Sequence, residues 1–172
     1  MPTYNLIQST TIGAGGAANI EFTSIPSTYT DLILHLSTRS SAALGVSGNF
    51  LRVNGSSLYY RYSYFYGTGS AAGAASATSQ TFAYLGEMTA ASATLSNTFC
   101  NTMTYIPNYA GSTIKTFLVS SSQEDQASSS VYNNIVANLW QDTSAITSLL
   151  IYPGTGNFVQ YSTAYLYGIS KA

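Results

Sequence analysis

The only histidine, His35, stands four residues after Asp31 in the segment TDLILHLSTR. On a β-strand both side chains would lie on one face, where an imidazole and a carboxylate can act as general base and acid. Such chemistry also needs a nucleophile held at a fixed distance, and the many serines of this chain single out none. We therefore expect Asp31 and His35 to lie on a solvent-facing or subunit-facing strand surface of a protein that is not an enzyme.

The acidic residues do not form the constellations that hydrolysis or metal binding requires. Glycoside hydrolysis needs two carboxylates across a cleft, whereas here only Glu124 and Asp125 are adjacent. The alternation of Asp and Asn that is typical of a calcium loop is missing around that pair. Cys100 is the only cysteine, which excludes an intrachain disulfide and a cysteine-based zinc site, and its flanks indicate a buried thiol. We expect neither a metal nor a cofactor.

The most informative segment is rich in tyrosine and runs from Tyr59 to Tyr66. Strand alternation would place Tyr60, Tyr62, Tyr64 and Tyr66 on one face. Tyrosine offers a large contact area at low entropic cost, and its ring also stacks on the apolar face of a sugar, so this row is a candidate subunit interface or glycan-binding surface. The alternative is that one row is core and the other packs against neighbouring strands.

Charge is unusually scarce in this chain. Its 172 residues include 5 Lys and Arg and 6 Asp and Glu, a net charge of -1 and 6% charged residues, where about 25% is ordinary. This composition excludes the basic footprint of a nucleic-acid binder and the basic patch of a protein that binds anionic membranes. A lone soluble domain normally disperses itself with charge. Either hydroxyls and amides alone disperse the surface, or other subunits cover much of it. We favour permanent self-association, in the form of a closed homotrimer.

The sequence also favours a soluble protein made in a reducing cytoplasm. The first basic residue is Arg39, and the opening MPTYNLIQSTTIGAGG lacks the apolar stretch of a secretory signal. The uncharged run from Tyr62 to Gly86 is crowded with Ser, Thr and Gly, so it does not resemble the ~20 apolar residues of a membrane span. We expect no signal peptide and no membrane insertion.

Period-two alternation recurs along the chain and predicts strands. In TDLILHLSTR (30–39), Leu32, Leu34 and Leu36 alternate with residues of mixed polarity. We predict three hairpins, which join 49–53 to 57–66 through Asn54-Gly55, 97–106 to 112–121, and 148–152 to 158–169. Further strands are predicted over 4–12, 18–25 and 131–140, a turn over 13–16, a surface loop over 70–80, and short helices over 88–95 and 123–127.

About eight to ten short strands separated by turns are typical of an all-β fold, an antiparallel β-sandwich of the jelly-roll type. The length of the chain and the absence of a linker predict a single domain over residues 1–172.

Three segments together resemble a known group of proteins. IPSTYTDLILHLSTRS (25–40), LRVNGSSLYYRY (51–62) and YLYGI (165–169) are similar to short β-sandwich virion structural proteins of tailed bacteriophages, and the similarity of pattern extends over most of the chain. The resemblance implies a virion component, made in the host cytoplasm and released by lysis. It carries over no site residues.

Within that group the short chain, without shaft repeats, favours a capsid decoration or cement protein on the outer surface of the head. Its partners would be other copies of itself and the major capsid protein or another virion protein. The alternative is an adhesin or receptor-binding component of the tail or head fibre, which would bind a host glycan through tyrosines such as Tyr60, Tyr62 and Tyr64.

Overall fold

A computed structural model describes residues 3–90, 97–124 and 131–170, with the side chains of Glu124 and Val131 excepted. These residues form an all-β fold of 12 strands without a helix. The prediction of eight to ten strands is therefore too low. The strands are β1 (Thr3–Thr11), β2 (Ile20–Phe22), β3 (Asp31–Ser40), β4 (Val46–Val53), β5 (Tyr60–Gly67), β6 (Ala72–Gln80), β7 (Ala83–Ala90), β8 (Cys100–Pro107), β9 (Lys115–Glu124), β10 (Val131–Trp140), β11 (Leu149–Pro153) and β12 (Thr163–Ser170).

The strands form two antiparallel ladders. The large ladder has the order β1-β12-β3-β8-β9-β10-β5-β6, and the small ladder has the order β2-β11-β4-β7. A short parallel pairing of β3 with β7, at Arg39–Thr89 and Ser40–Ala90, joins them into one open, mixed sheet. The expectation of a purely antiparallel fold is wrong at this junction.

Residues from strands of both ladders form one buried hydrophobic cluster, the core. Strand β7 contacts β8, β9 and β10. Alternate residues of β8, β9 and β10 are buried. Leu32, Leu34 and Leu36 of β3 are buried as predicted. Trp140 of β10 and Phe117 of β9 are buried among them. The alternation that the sequence shows is therefore the alternation between core and surface.

Only one of the three predicted hairpins forms. Strands β8 and β9 pair across Pro107 to Gly111. The turn at Asn54-Gly55 also forms, with φ of 51° and 68° and a hydrogen bond of 2.8 Å from Ser56 N to Val53 O. However, β4 pairs with β7 and β11, while β5 pairs with β6 and β10. The predicted pairing of β11 with β12 is likewise wrong, because β11 belongs to the small ladder and β12 to the large one.

Two local assignments are also wrong. The predicted surface loop over 70–80 is mostly strand β6, whose small residues make room for the tyrosines of β5. A Cβ on Gly73 would lie 2.7 Å from the ring of Tyr66, its partner across the strands. The predicted helices begin inside strands, since residues 88–90 belong to β7 and 123–124 to β9. Their remaining residues lie outside the described part of the chain. The predicted turn over 13–16 forms, with Gly16 N donating to Gly13 O at 3.0 Å.

Candidate functional site

The four tyrosines of β5 share one face, but they do not share one role. Tyr60 is fully buried, its ring stacks on Trp140 at 6.4 Å between centroids, and its hydroxyl accepts a hydrogen bond of 2.8 Å from Val53 N. Burial raises the pKa of Tyr60 to about 12. Tyr60 is therefore a core residue, and the prediction that it is part of a binding surface is wrong.

Tyr62, Tyr64 and Tyr66 are half-buried and form a continuous row of rings. Neighbouring centroids are 6.1 Å apart for Tyr62 and Tyr64, and 5.7 Å apart for Tyr64 and Tyr66. The row meets Tyr84 of β7, whose centroid lies 5.3 Å from that of Tyr62 and 5.2 Å from that of Tyr64. These three tyrosines thus line the corner where the small ladder ends at β7 and the large ladder continues to β5.

A β-bulge in β7 shapes the other side of this corner. Phe50 of β4 is opposite Tyr84 and Gly48 is opposite Glu87, so Leu85 and Gly86 together face a single residue of β4. Bulges of this kind redirect side chains. Here the bulge brings the Tyr84 hydroxyl to Glu87, where it donates to Oε1 at 2.7 Å. Burial first, and then the negative charge of Glu87, raise the pKa of the Tyr84 hydroxyl.

Gly86 is required by this geometry. Its φ is +90°, and a Cβ at this position would lie 2.0 Å from Ser121 Oγ of β9. Only glycine adopts such a conformation readily and leaves that space.

The buried side chain of Asn138 fixes Tyr84 to the large ladder. Its Oδ1 accepts from Tyr84 N at 2.8 Å and its Nδ2 donates to Tyr84 O at 2.9 Å. Since Asn138 is on β10, this pair of hydrogen bonds ties the edge strand of one ladder to the interior of the other. The position of the Tyr84 ring therefore depends on Asn138.

A cavity of about 150 Å³ opens at this corner, and we call it the tyrosine cavity. Its walls come from β5, β7 and β10, which are far apart in sequence but meet at the corner. The lining residues are Tyr64, Tyr66, Tyr84, Glu87, Tyr132 and Asn134. The arrangement combines aromatic faces with one carboxylate.

The residues considered for acid–base chemistry are not assembled into a site. His35 is exposed, with its ring edge-on to Tyr167 at 6.0 Å. Asp31 accepts hydrogen bonds from the Tyr105 hydroxyl at 3.0 Å and from Asn108 N at 2.9 Å. Both residues therefore lie on the surface of strand β3, exposed in the case of His35 and partly buried in the case of Asp31.

Among residues 3–90, 97–124 and 131–170, no group of three or more His, Cys, Asp or Glu side chains could hold a metal ion. Asp125 of the pair considered for calcium lies outside these ranges. Cys100 is buried as predicted, and burial raises the pKa of its thiol.

The face of the large ladder that points away from the core, which we call the outer face, carries exposed apolar side chains. The exposed fraction is 70% for Phe65, 57% for Ile135, 56% for Leu118 and 42% for Met103. Phe65 of β5 is the cross-strand partner of Ile135 of β10. Ile135 in turn lies opposite Ser120 of β9, and Ser120 lies opposite Met103 of β8, so the four residues form one row across four strands. The same row continues through His35 to Tyr165.

The centre of the outer face lacks charge. Among its described side chains, the formal charges belong to Asp31, Arg39 and Arg61, and each lies within two residues of a strand end. Hydroxyl and amide side chains such as Ser120, Ser122 and Asn101 occupy the positions between the apolar ones. The centre of this broad surface therefore presents apolar, hydroxyl and amide groups.

Sequence reasoning found Tyr64 and Tyr66 but missed Tyr84, Glu87, Tyr132 and Asn134. The available signal was the dipeptide Leu85-Gly86, since an isolated glycine in a strand pattern indicates a bulge. That signal is weak here, because Gly86 was one glycine among 14.

Among the described residues, no helix has the length and apolar character needed to cross a membrane.

Comparison of the chain with protein-family models, with curated proteins and with solved structures gives no match.

Proposed function

We propose that this chain is a structural protein of a bacteriophage virion, a decoration or cement protein that binds the outer surface of the capsid and has no catalytic role. The observation that carries the proposal is the uncharged centre of the outer face, with its exposed Phe65, Ile135, Leu118 and Met103. Exposed apolar patches of this kind mark surfaces that bind other proteins. The virion setting itself is supported by the resemblance of three sequence segments to phage structural proteins.

The size of the outer face fits a stable interface. Eight strands at about 4.8 Å spacing span about 38 Å, and six residues of each at about 3.3 Å span about 20 Å, which gives about 760 Å². A standard protein interface buries about 800 Å² on each partner. One contact through this face would therefore be enough to hold the protein on a shell.

We further propose that the two ladders pack as the layers of a sandwich of the jelly-roll type. The contacts of β7 with β8, β9 and β10 support this arrangement, since β7 belongs to the small ladder and the other three to the large one. A homotrimer on the capsid would place equivalent outer faces against neighbouring shell subunits.

A second candidate function is an adhesin that binds a host glycan. The observation in its favour is the half-exposed row of Tyr62, Tyr64 and Tyr66, because tyrosine rings stack on sugars. Single variants of the three tyrosines to alanine that still assemble would lose host-cell binding under this alternative. Unchanged binding in all three variants would contradict it.

The experiment for the first proposal measures binding of purified variants to capsids that lack this protein. Ile135→Lys places a charge at the centre of the outer face, whereas Leu44→Lys places the same charge on an exposed apolar residue in the loop between β3 and β4. Because burying an unpaired ammonium is costly, we expect Ile135→Lys to weaken capsid binding at least about tenfold and Leu44→Lys to leave it unchanged. Equal retention of both variants would contradict docking through the outer face.

A further inference from the structure

We propose that the tyrosine cavity is a binding site for an organic cation of the alkylammonium class. The inference goes beyond the capsid role and does not depend on it. It follows from the chemistry of the walls, the state of the Glu87 carboxylate and the size of the space.

The walls present aromatic faces to the space between them. Tyr64, Tyr66, Tyr84 and Tyr132 line it together. The planes of Tyr64 and Tyr84 are inclined at 64°, and those of Tyr64 and Tyr66 at 39°, so the rings do not lie in one plane. The face of an aromatic ring is negative, and several such faces around one space attract a cation.

Glu87 adds a formal negative charge to the same wall. One of its oxygens, Oε1, accepts the hydrogen bond from Tyr84, and within the described residues the carboxylate makes no ion pair. A carboxylate close to several aromatic rings adds a direct charge–charge attraction to the attraction between a cation and the rings. A bound cation would supply the missing partner.

The polar groups of the cavity argue against a sugar as the preferred ligand. The Tyr84 hydroxyl already donates to Glu87, and the Asn134 side-chain nitrogen already donates to Ser121 Oγ at 3.4 Å. Two of the donors that a saccharide would use are therefore already engaged within the protein. The volume of about 150 Å³ equals about five water molecules at ~30 Å³ each. A trimethylammonium head has four heavy atoms and needs no hydrogen-bond donors.

The test is a titration of the full-length protein, followed by nuclear magnetic resonance, with choline and with dimethylbutanol, the neutral isostere in which carbon replaces the nitrogen. The two probes have the same shape and differ in charge. We expect choline to shift the resonances of residues around the cavity and to bind at least about tenfold more tightly than the isostere, since only the cation is attracted to the aromatic rings and to the Glu87 carboxylate.

Two carboxylate variants distinguish an effect of the charge in the cavity from an effect of the protein's net charge. Glu87→Gln keeps an acceptor for the Tyr84 hydroxyl but removes the charge, and we expect it to weaken choline binding about tenfold without changing the binding of the isostere. Glu21→Gln, on the exposed position of β2, removes a carboxylate elsewhere and should leave both affinities unchanged. Near-ultraviolet circular dichroism of each variant verifies that the tyrosines remain packed.

Three results would overturn the proposal. Equal affinity for choline and the isostere would show an apolar cavity without cation selectivity. Binding of a methyl glycoside in the absence of choline binding would assign the site to a saccharide. The absence of cavity shifts with any of these probes would show that the rings only pack against one another.

Discussion

Asn138 is the residue on which the geometry of the corner depends most. It satisfies both backbone groups of Tyr84, and both would be left without partners if its side chain were removed. We expect Asn138→Ala to lower the free energy of unfolding by about 2–4 kcal/mol, because each unsatisfied buried polar group costs about 1–3 kcal/mol. Urea denaturation measures this difference.

Asn133→Ala is the matched control, since Asn133 lies on the same strand but is exposed. Its effect should stay within about 0.5 kcal/mol. A similar loss of stability in both variants would show that the Asn138 hydrogen bonds are not the cause.

The buried tyrosines give the protein a characteristic response to alkaline pH. Tyr60 has a pKa of about 12 in the folded chain, against about 10 in an unfolded one. Between these values the folded state binds more protons than the unfolded state, so the free energy of unfolding falls as pH rises. The tyrosine contribution to stability is therefore fully present below about pH 10 and is lost progressively towards pH 12.

Urea denaturation at a series of pH values measures this fall, which is about 1.4 kcal/mol per pH unit for each tyrosine that titrates in this way. In Tyr60→Phe the free energy of unfolding should fall less steeply with pH, because the contribution of one titrating tyrosine is missing. The remaining slope is due to residues such as Tyr84, whose pKa is also raised. Constant stability from about pH 10 to about pH 12 would contradict the buried, protonated state of Tyr60.

At the scale of elements, the bulge in β7 is the device that brings Tyr84 and Glu87 together. We expect Gly86→Ala to destabilise the fold by about 1–3 kcal/mol, because alanine is strained at a φ of +90° and its Cβ would overlap Ser121 Oγ. Gly45→Ala is the control, since a Cβ there would meet no atom within 4 Å. Thermal unfolding of the two variants compares them directly, and an equally small effect at both positions would show that the bulge tolerates a side chain.

Most of the strands could be predicted from the sequence, with β6 and β7 as the exceptions, whereas most of the strand pairings could not. Alternation located β3 and β10, because one face of each must be buried. The pairing of β8 with β9 was predictable because a single short turn joins them. The chain leaves β4 through an equally good turn at Asn54-Gly55 but passes to the other ladder, because pairing is decided by which ladder can bury Tyr60 against Trp140. Local turn chemistry carries no information about that choice.

The tyrosine cavity escaped prediction for the same reason. Its walls come from three strands that are distant in sequence, and the β7 wall depends on a bulge. The row of tyrosines on β5 was visible in the sequence. However, the change from the buried Tyr60 to the half-buried Tyr62, Tyr64 and Tyr66 occurs where the small ladder ends. Only the packing of the two ladders defines that boundary.

At the scale of the whole molecule, the accessible surface of the single chain is that of an ordinary compact monomer. Its accessible surface of 8091 Å² equals the ~8,100 Å² that the scaling law gives for a monomer of 18.2 kDa. A partner would therefore cover part of the surface of a subunit that is already compact. We expect the isolated subunit to remain folded and its attachment to a shell to depend weakly on salt, since uncharged contacts are not screened.

The most direct test of the proposed function is immunogold electron microscopy of virions produced with the gene for this chain, using antibody raised against the purified protein. A decoration or cement protein predicts label spread over the whole surface of the head. Label confined to the tail tip, or particles without any label, would contradict a capsid role.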